Sequence, residues 1–215
     1  MLFNTTVEPI SQYLKTIQEV YGEDLYNEIN EKFDIFKQHL INIWPAREKI
    51  IERFLSEKDG GLQANILIDK FGVLHDLRSF VEKLRKRLID EAGAPETVFS
   101  HLLNQGDADG LFLPFKFKKP IQLKIPGRSY PMPIGSSVIL EKELEIINKH
   151  LKIERSFKIN VLPDFIEASS YEIDKFESQY MIDPSFWIKF GFVVLRTLNI
   201  KARDAKMPVI FHDGT

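Results

Sequence analysis

Apolar positions along this chain fall into two periods. From Asp24 to Ile43 the spacing Leu25, Ile29, Phe33, Phe36, Leu40 predicts a helix, and Pro9–Tyr21 carries Ile10, Tyr13, Leu14, Ile17 and Val20 at the same spacing. Trp44-Pro45 breaks the chain, because a residue before proline is pushed out of the helical region. Pro45 then opens a third helix with Ile50, Ile51, Phe54 and Leu55 on one side. Leu62–Phe71 reads as a short helix, Gly72 as a turn, and Leu74, Leu77, Val81, Leu84, Leu88 as a heptad-like stripe. Ala94-Pro95-Glu96 leads into another short helix, Thr97–Leu103.

The period then changes to two. Phe115 and Phe117 alternate with lysines, as do Ile121, Leu123 and Ile125 with polar residues, which predicts a small antiparallel hairpin. The prolines between Pro114 and Pro133 push it to a sheet edge. Ser137 suits the cap of a helix with Leu140, Leu144, Ile147 and Leu151 inward, and Phe157–Val161 alternates as a strand. After a short helix over Ser170–Tyr180, Asp183-Pro184 opens a helix running to about Met207. Lys189, Arg196 and Arg203 form a narrow polar stripe on it, and the rest is apolar enough for a buried central element. Val209-Ile210-Phe211 suits a last strand. The expected fold is α+β and mostly helical. Its segments are an N-terminal helical pair over 1–44, a middle over 45–125, and a C-terminal α+β half over 126–215, which can also pack as one unit.

Composition fits that picture: of 215 residues, 44% are apolar and 28% charged. Seventeen Phe suggest aromatic packing in the core. With no cysteine, disulfides and thiolate metal sites are excluded. No apolar run is long enough to span a membrane, and Met1–Thr6 lacks the layout of a secretory signal, so a cytoplasmic protein without membrane contact is expected.

The net charge of −2 hides an asymmetry. Residues 1–44 hold three basic and seven acidic groups, residues 78–128 hold ten and six, and no acid lies between Gly110 and Leu140. A basic middle on an acidic protein can steer a polyanion.

In that middle, the helix from Pro45, the short helix Leu62–Phe71, the Gly72-Val73 turn, the basic helix and the two-stranded element together resemble a winged helix-turn-helix DNA-binding domain. Leu67, Phe71, Gly72, Val73 and Val81 fit its packing positions. The resemblance implies Arg78, Lys83, Arg85, Lys86 and Arg87 as groove or phosphate contacts, with Lys116, Lys118 and Lys119 on the wing, and duplex DNA as partner. It makes the chain a non-catalytic nucleic-acid-binding or regulatory protein.

The alternative is a protein-interaction or inhibitor module whose surfaces are the acidic N-terminal helices and the proline-stiffened stretch from Pro126 to Gly135. A minor alternative is a metal-dependent phosphohydrolase of the His-Asp type, on His39, His75-Asp76 and Asp107 or Asp109. Asp107-Ala108-Asp109-Gly110 lacks the terminal glutamate of a calcium loop, since Lys116 stands there. No catalytic residue, metal or cofactor is assigned, and enzymatic activity is not expected.

Overall fold

A computed structural model describes residues 3–7, 19, 23–55, 64–68, 73–105, 110–124, 130–153, 165–168 and 185–212. The described elements, in chain order, begin with β1 (Phe3–Val7), α1 (Glu23–Ile43), a 3-10 turn at Pro45–Arg47, α2 (Glu48–Leu55), β2 (Ala64–Ile68), α3 (His75–Ala92) and α4 (Ser100–Leu103). They continue with β3 (Gly110–Leu113), β4 (Ile121–Leu123), β5 (Met132–Ser136), α5 (Ser137–Leu151), β6 (Phe165–Ala168), α6 (Phe186–Ala205) and β7 (Val209–His212). The fold is α+β and mostly helical.

The seven described strands join one sheet in the order β4-β5-β3-β7-β1-β2-β6, so each third of the sequence contributes to it. β7 lies at its centre, antiparallel to both β1 and β3, with Thr5 opposite Phe211 and Leu111 opposite Ile210. The β3–β5 and β2–β6 pairs are parallel. Val209, Ile210 and Phe211 are buried in β7, the last strand expected from that apolar run.

α6 is the central helix. It packs against α3 on one side and α5 on another, and also touches β1 and β7. Phe186, Phe190, Val194, Leu195 and Leu198 are buried, while Trp187 and Val193 are half-buried. Arg196 and Arg203 are exposed on the polar stripe. α6 begins at Phe186 with Ser185 before it; Asp183-Pro184 lies outside the described residues. Gly191 is where α6 meets the start of α3: a Cβ there would stand 2.8 Å from the Val73 carbonyl oxygen.

Four expectations need correction. Where a helix is expected over Leu62–Phe71, residues 64–68 form β2, pairing with β1 and β6. Neighbouring strands override a helical spacing in so short an apolar run. The helix-turn-helix pair therefore lacks its first helix at these positions. The hairpin expected over 115–125 is also different: β4 covers only Ile121–Leu123, and its antiparallel partner is β5. Phe115 and Phe117 are buried without being strand, because both rings pack on Trp44 at centroid distances of 5.1 and 4.8 Å. Pro114 and Pro120 bracket them and have no N–H for a ladder. Part of the stretch expected as a stiff loop, Met132–Gly135, is strand β5. The cap of α5 is Ser136, whose Oγ accepts from Ile139 N at 3.2 Å; Ser137 is the first helical residue.

Other expectations stand as made. The helix to Ile43, the break at Trp44-Pro45 and the Leu77, Val81, Leu84 face of α3 are all present. Pro9–Tyr21, Phe157–Val161 and Ser170–Tyr180 fall outside the described residues, apart from Glu19.

Candidate interaction surfaces

Charge on this molecule is arranged by helix geometry, at about 100° per residue. On α1 the residues Glu23, Asn27, Glu31 and Asp34 fall within ~80° of arc and are exposed, opposite the buried Phe36 and Leu40. No lysine or arginine of the helix lies on that arc. Its carboxylates extend over ~16 Å of axis, about half a turn of duplex DNA. The segment 23–43 carries five acidic and two basic residues, a net charge of −3.

α3 is different. Its exposed side alternates Glu82, Asp90 and Glu91 with Lys83, Lys86 and Arg87. Spacings of four, as in Glu82–Lys86 and Arg87–Glu91, set opposite charges beside one another and neutralise the field.

The residues of α3 named as groove or phosphate contacts do not all share one side of the helix. Arg85 and Arg87 are two apart, hence ~200° around the helix from one another. Arg85 donates twice to the Glu96 carbonyl, at 3.1 and 2.6 Å, holding the turn after α3. Arg87 meets His150 Nδ1 on α5 at 3.2 Å. Arg78 is half-buried and donates to the Leu103 carbonyl at 3.4 Å. Lys83, Lys86, Lys116, Lys118 and Lys119 are exposed.

A buried polar node lies beneath this surface. Glu143 on α5 accepts from His101 N at 3.0 Å and Leu102 N at 2.8 Å, so it caps α4 from another helix. Burial pushes its pKa up to about 7, and those two N–H donors act the other way. The His101 ring accepts from Ser136 N through Nδ1 at 2.9 Å and faces the Lys118 carbonyl through Nε2 at 3.4 Å. That pairing requires the neutral Nε2–H tautomer, and burial lowers its pKa accordingly, against the Lys118 carbonyl. Ser136 Oγ donates to the Phe115 carbonyl at 2.7 Å. The node ties α4, the Phe115–Lys118 segment, β5 and α5 together. Ser136 Oγ is committed to backbone partners, so the trio builds no Ser-His relay. His75 stands beside Asp76 in the sequence, whereas His101 carries no local signal beyond an apolar neighbourhood.

For a metal-dependent phosphohydrolase, His39, His75, Asp76 and Asp107 must converge. Asp107 and Asp109 lie outside the described residues, and among the described ones no three His, Asp or Glu form a metal-binding group. No described helix is long and apolar enough to cross a membrane.

Residues 74–191 match the profile of a protein family described as "Putative DNA-mimic protein". That is 118 of 215 residues, more than half of the chain. No curated protein and no solved structure matches. The match overturns the expectation of a nucleic-acid-binding regulator with a winged helix: a mimic of DNA engages the proteins that bind DNA, and its partner is another protein. The alternative reading, a protein-interaction module, is the one supported. Interleaved acids on α3 and arginines spent on carbonyl groups are the physical reason a basic count misleads here.

Proposed function

Since the chain belongs to this DNA-mimic family, we propose that it binds a DNA-binding protein in place of duplex DNA, presenting carboxylates where the duplex presents phosphates. The family match carries the reading. It is supported by the α1 arc, where Glu23, Glu31 and Asp34 stand on one exposed side without an interleaved cation. α1 precedes the matched segment, so the arc is this chain's own addition to the argument. A duplex offers one phosphate per ~3.4 Å of axis on each strand, and association with it is steered by that charge. Carboxylates spread over ~16 Å offer a shorter version of the same field. We place the encounter in the cytoplasm, in keeping with the cysteine-free composition.

The test uses immobilised duplex DNA loaded with DNA-binding proteins from a cell extract. The purified chain, added at low salt, is expected to elute a defined protein from the resin while not being retained itself. The triple variant E23Q/E31Q/D34N, with its fold intact, is expected to elute far less of it. Retention of the chain on bare duplex, or no displacement at any concentration, overturns the proposal.

A further inference from the structure

A groove of about 140 Å³ runs between α5 and α6, lined by carboxylate, amide and apolar side chains. Asn199 on α6 is buried, yet its side-chain Oδ1 has no hydrogen-bond partner. Across the groove Asn148 Oδ1, on α5, is likewise buried and unpartnered. Leaving a buried acceptor unpaired is costly, so two such oxygens on residues that line one groove call for a donor from outside. Glu145, one turn before Asn148, adds an exposed carboxylate, while Phe192 and the exposed Ile200 supply apolar wall. Glu141 is already paired with Arg203, an ion pair that bridges the two helices at one end.

We infer that this groove is a binding site for an arginine side chain of the protein partner. A guanidinium is planar and carries five N–H donors with no acceptor, so it can serve Asn148, Asn199 and Glu145 together while its methylenes lie on Phe192 and Ile200. A cavity of ~150 Å³ takes a benzene ring, a planar group of comparable size. A metal ion is a poorer occupant, since no group of three carboxylates or imidazoles is present among the described residues. Arg196, exposed and also lining the groove, donates to neither amide oxygen and is the natural competitor for the site. The inference rests on the DNA-mimic reading for the source of the arginine: DNA-binding proteins read guanine by directing an arginine at a pair of acceptors, and paired amide oxygens imitate that pair.

The probe is Nα-acetyl-arginine amide, titrated into the isotopically labelled full chain while side-chain amide signals are followed by NMR. Saturable shifts at both Asn148 and Asn199 are expected. They should strengthen in R196A, and affinity should fall about tenfold or more in N199L, as for loss of one hydrogen bond to a charged donor. Nα-acetyl-citrulline amide, whose urea is uncharged, should give no saturable shift. If N199L does not fold, N148L reads the same acceptor loss. No saturation with the arginine probe, equal shifts with the citrulline probe, or unchanged affinity in the foldable variant overturns the site. Such a result leaves displacement from DNA untouched, because that assay rests on α1, so the two failures are distinguishable.

Discussion

Glu143 shows how a single side chain can organise several elements and set a pH dependence. The unfolded carboxyl takes up its proton near 4.5 and the buried one near 7, so the folded chain holds more proton in between. Its contribution to stability is therefore full below about 4.5 and is lost as pH rises through about 7, by about 3 kcal/mol at most. His101 slopes the other way: its lowered pKa means the folded chain holds less proton, so its contribution is present above about 6.5 and lost on acidification. In E143Q the loss between about pH 4.5 and 7 should vanish and the acid-side loss from His101 remain, as read by denaturant midpoints across pH. A wild-type-like slope in E143Q would assign the dependence to another group. None of this was legible from local sequence, because Glu143 and His101 are 42 residues apart. The neighbouring cap was nearly legible: a serine pair precedes the apolar period of α5, and the strand that ends at Ser136 decides which of the two serves.

At the scale of elements, long periodic segments were readable and short ones were not. α3 and α6 carry enough turns for their apolar faces to declare themselves. β2 does not: Ala64–Ile68 fits either period, and only β1 and β6 beside it make it a strand. β1 went unseen because five residues, Phe3–Val7, have no pattern of their own. The contact between α6 and α3 depends on a missing side chain, which leads to a second expectation. G191A places a methyl 2.8 Å from the Val73 carbonyl oxygen and should cost about 1–3 kcal/mol, lowering Tm by several degrees. Unchanged Tm would mean the two helices can separate freely. On α1, by contrast, E23Q/E31Q/D34N alters only exposed carboxylates and should leave stability within about 0.5 kcal/mol per site. A cooperative loss of fold in that variant would give the arc a structural role in place of a binding one.

The whole molecule is held by pairings that cross nearly the full chain, Asn4 with His212 among them. Such contacts have no local signature, so the sequence yields α1, α3, α5, α6 and the last strand but not the order of the sheet. Charge was misread for a related reason. The ten basic groups of residues 78–128 are a count along the chain; the five on α3 meet a partner mixed with acids, and two of those, Arg78 and Arg85, are tied to carbonyl groups. The central claim is competition for one surface of a DNA-binding protein. The direct measurement is the apparent Kd of the displaced partner for a labelled duplex, determined at several fixed concentrations of this chain. The account predicts that apparent Kd rises in proportion to the added chain, with full saturation still reached at high partner. A plateau in apparent Kd, a loss of maximal binding, or a ternary complex with duplex would contradict it.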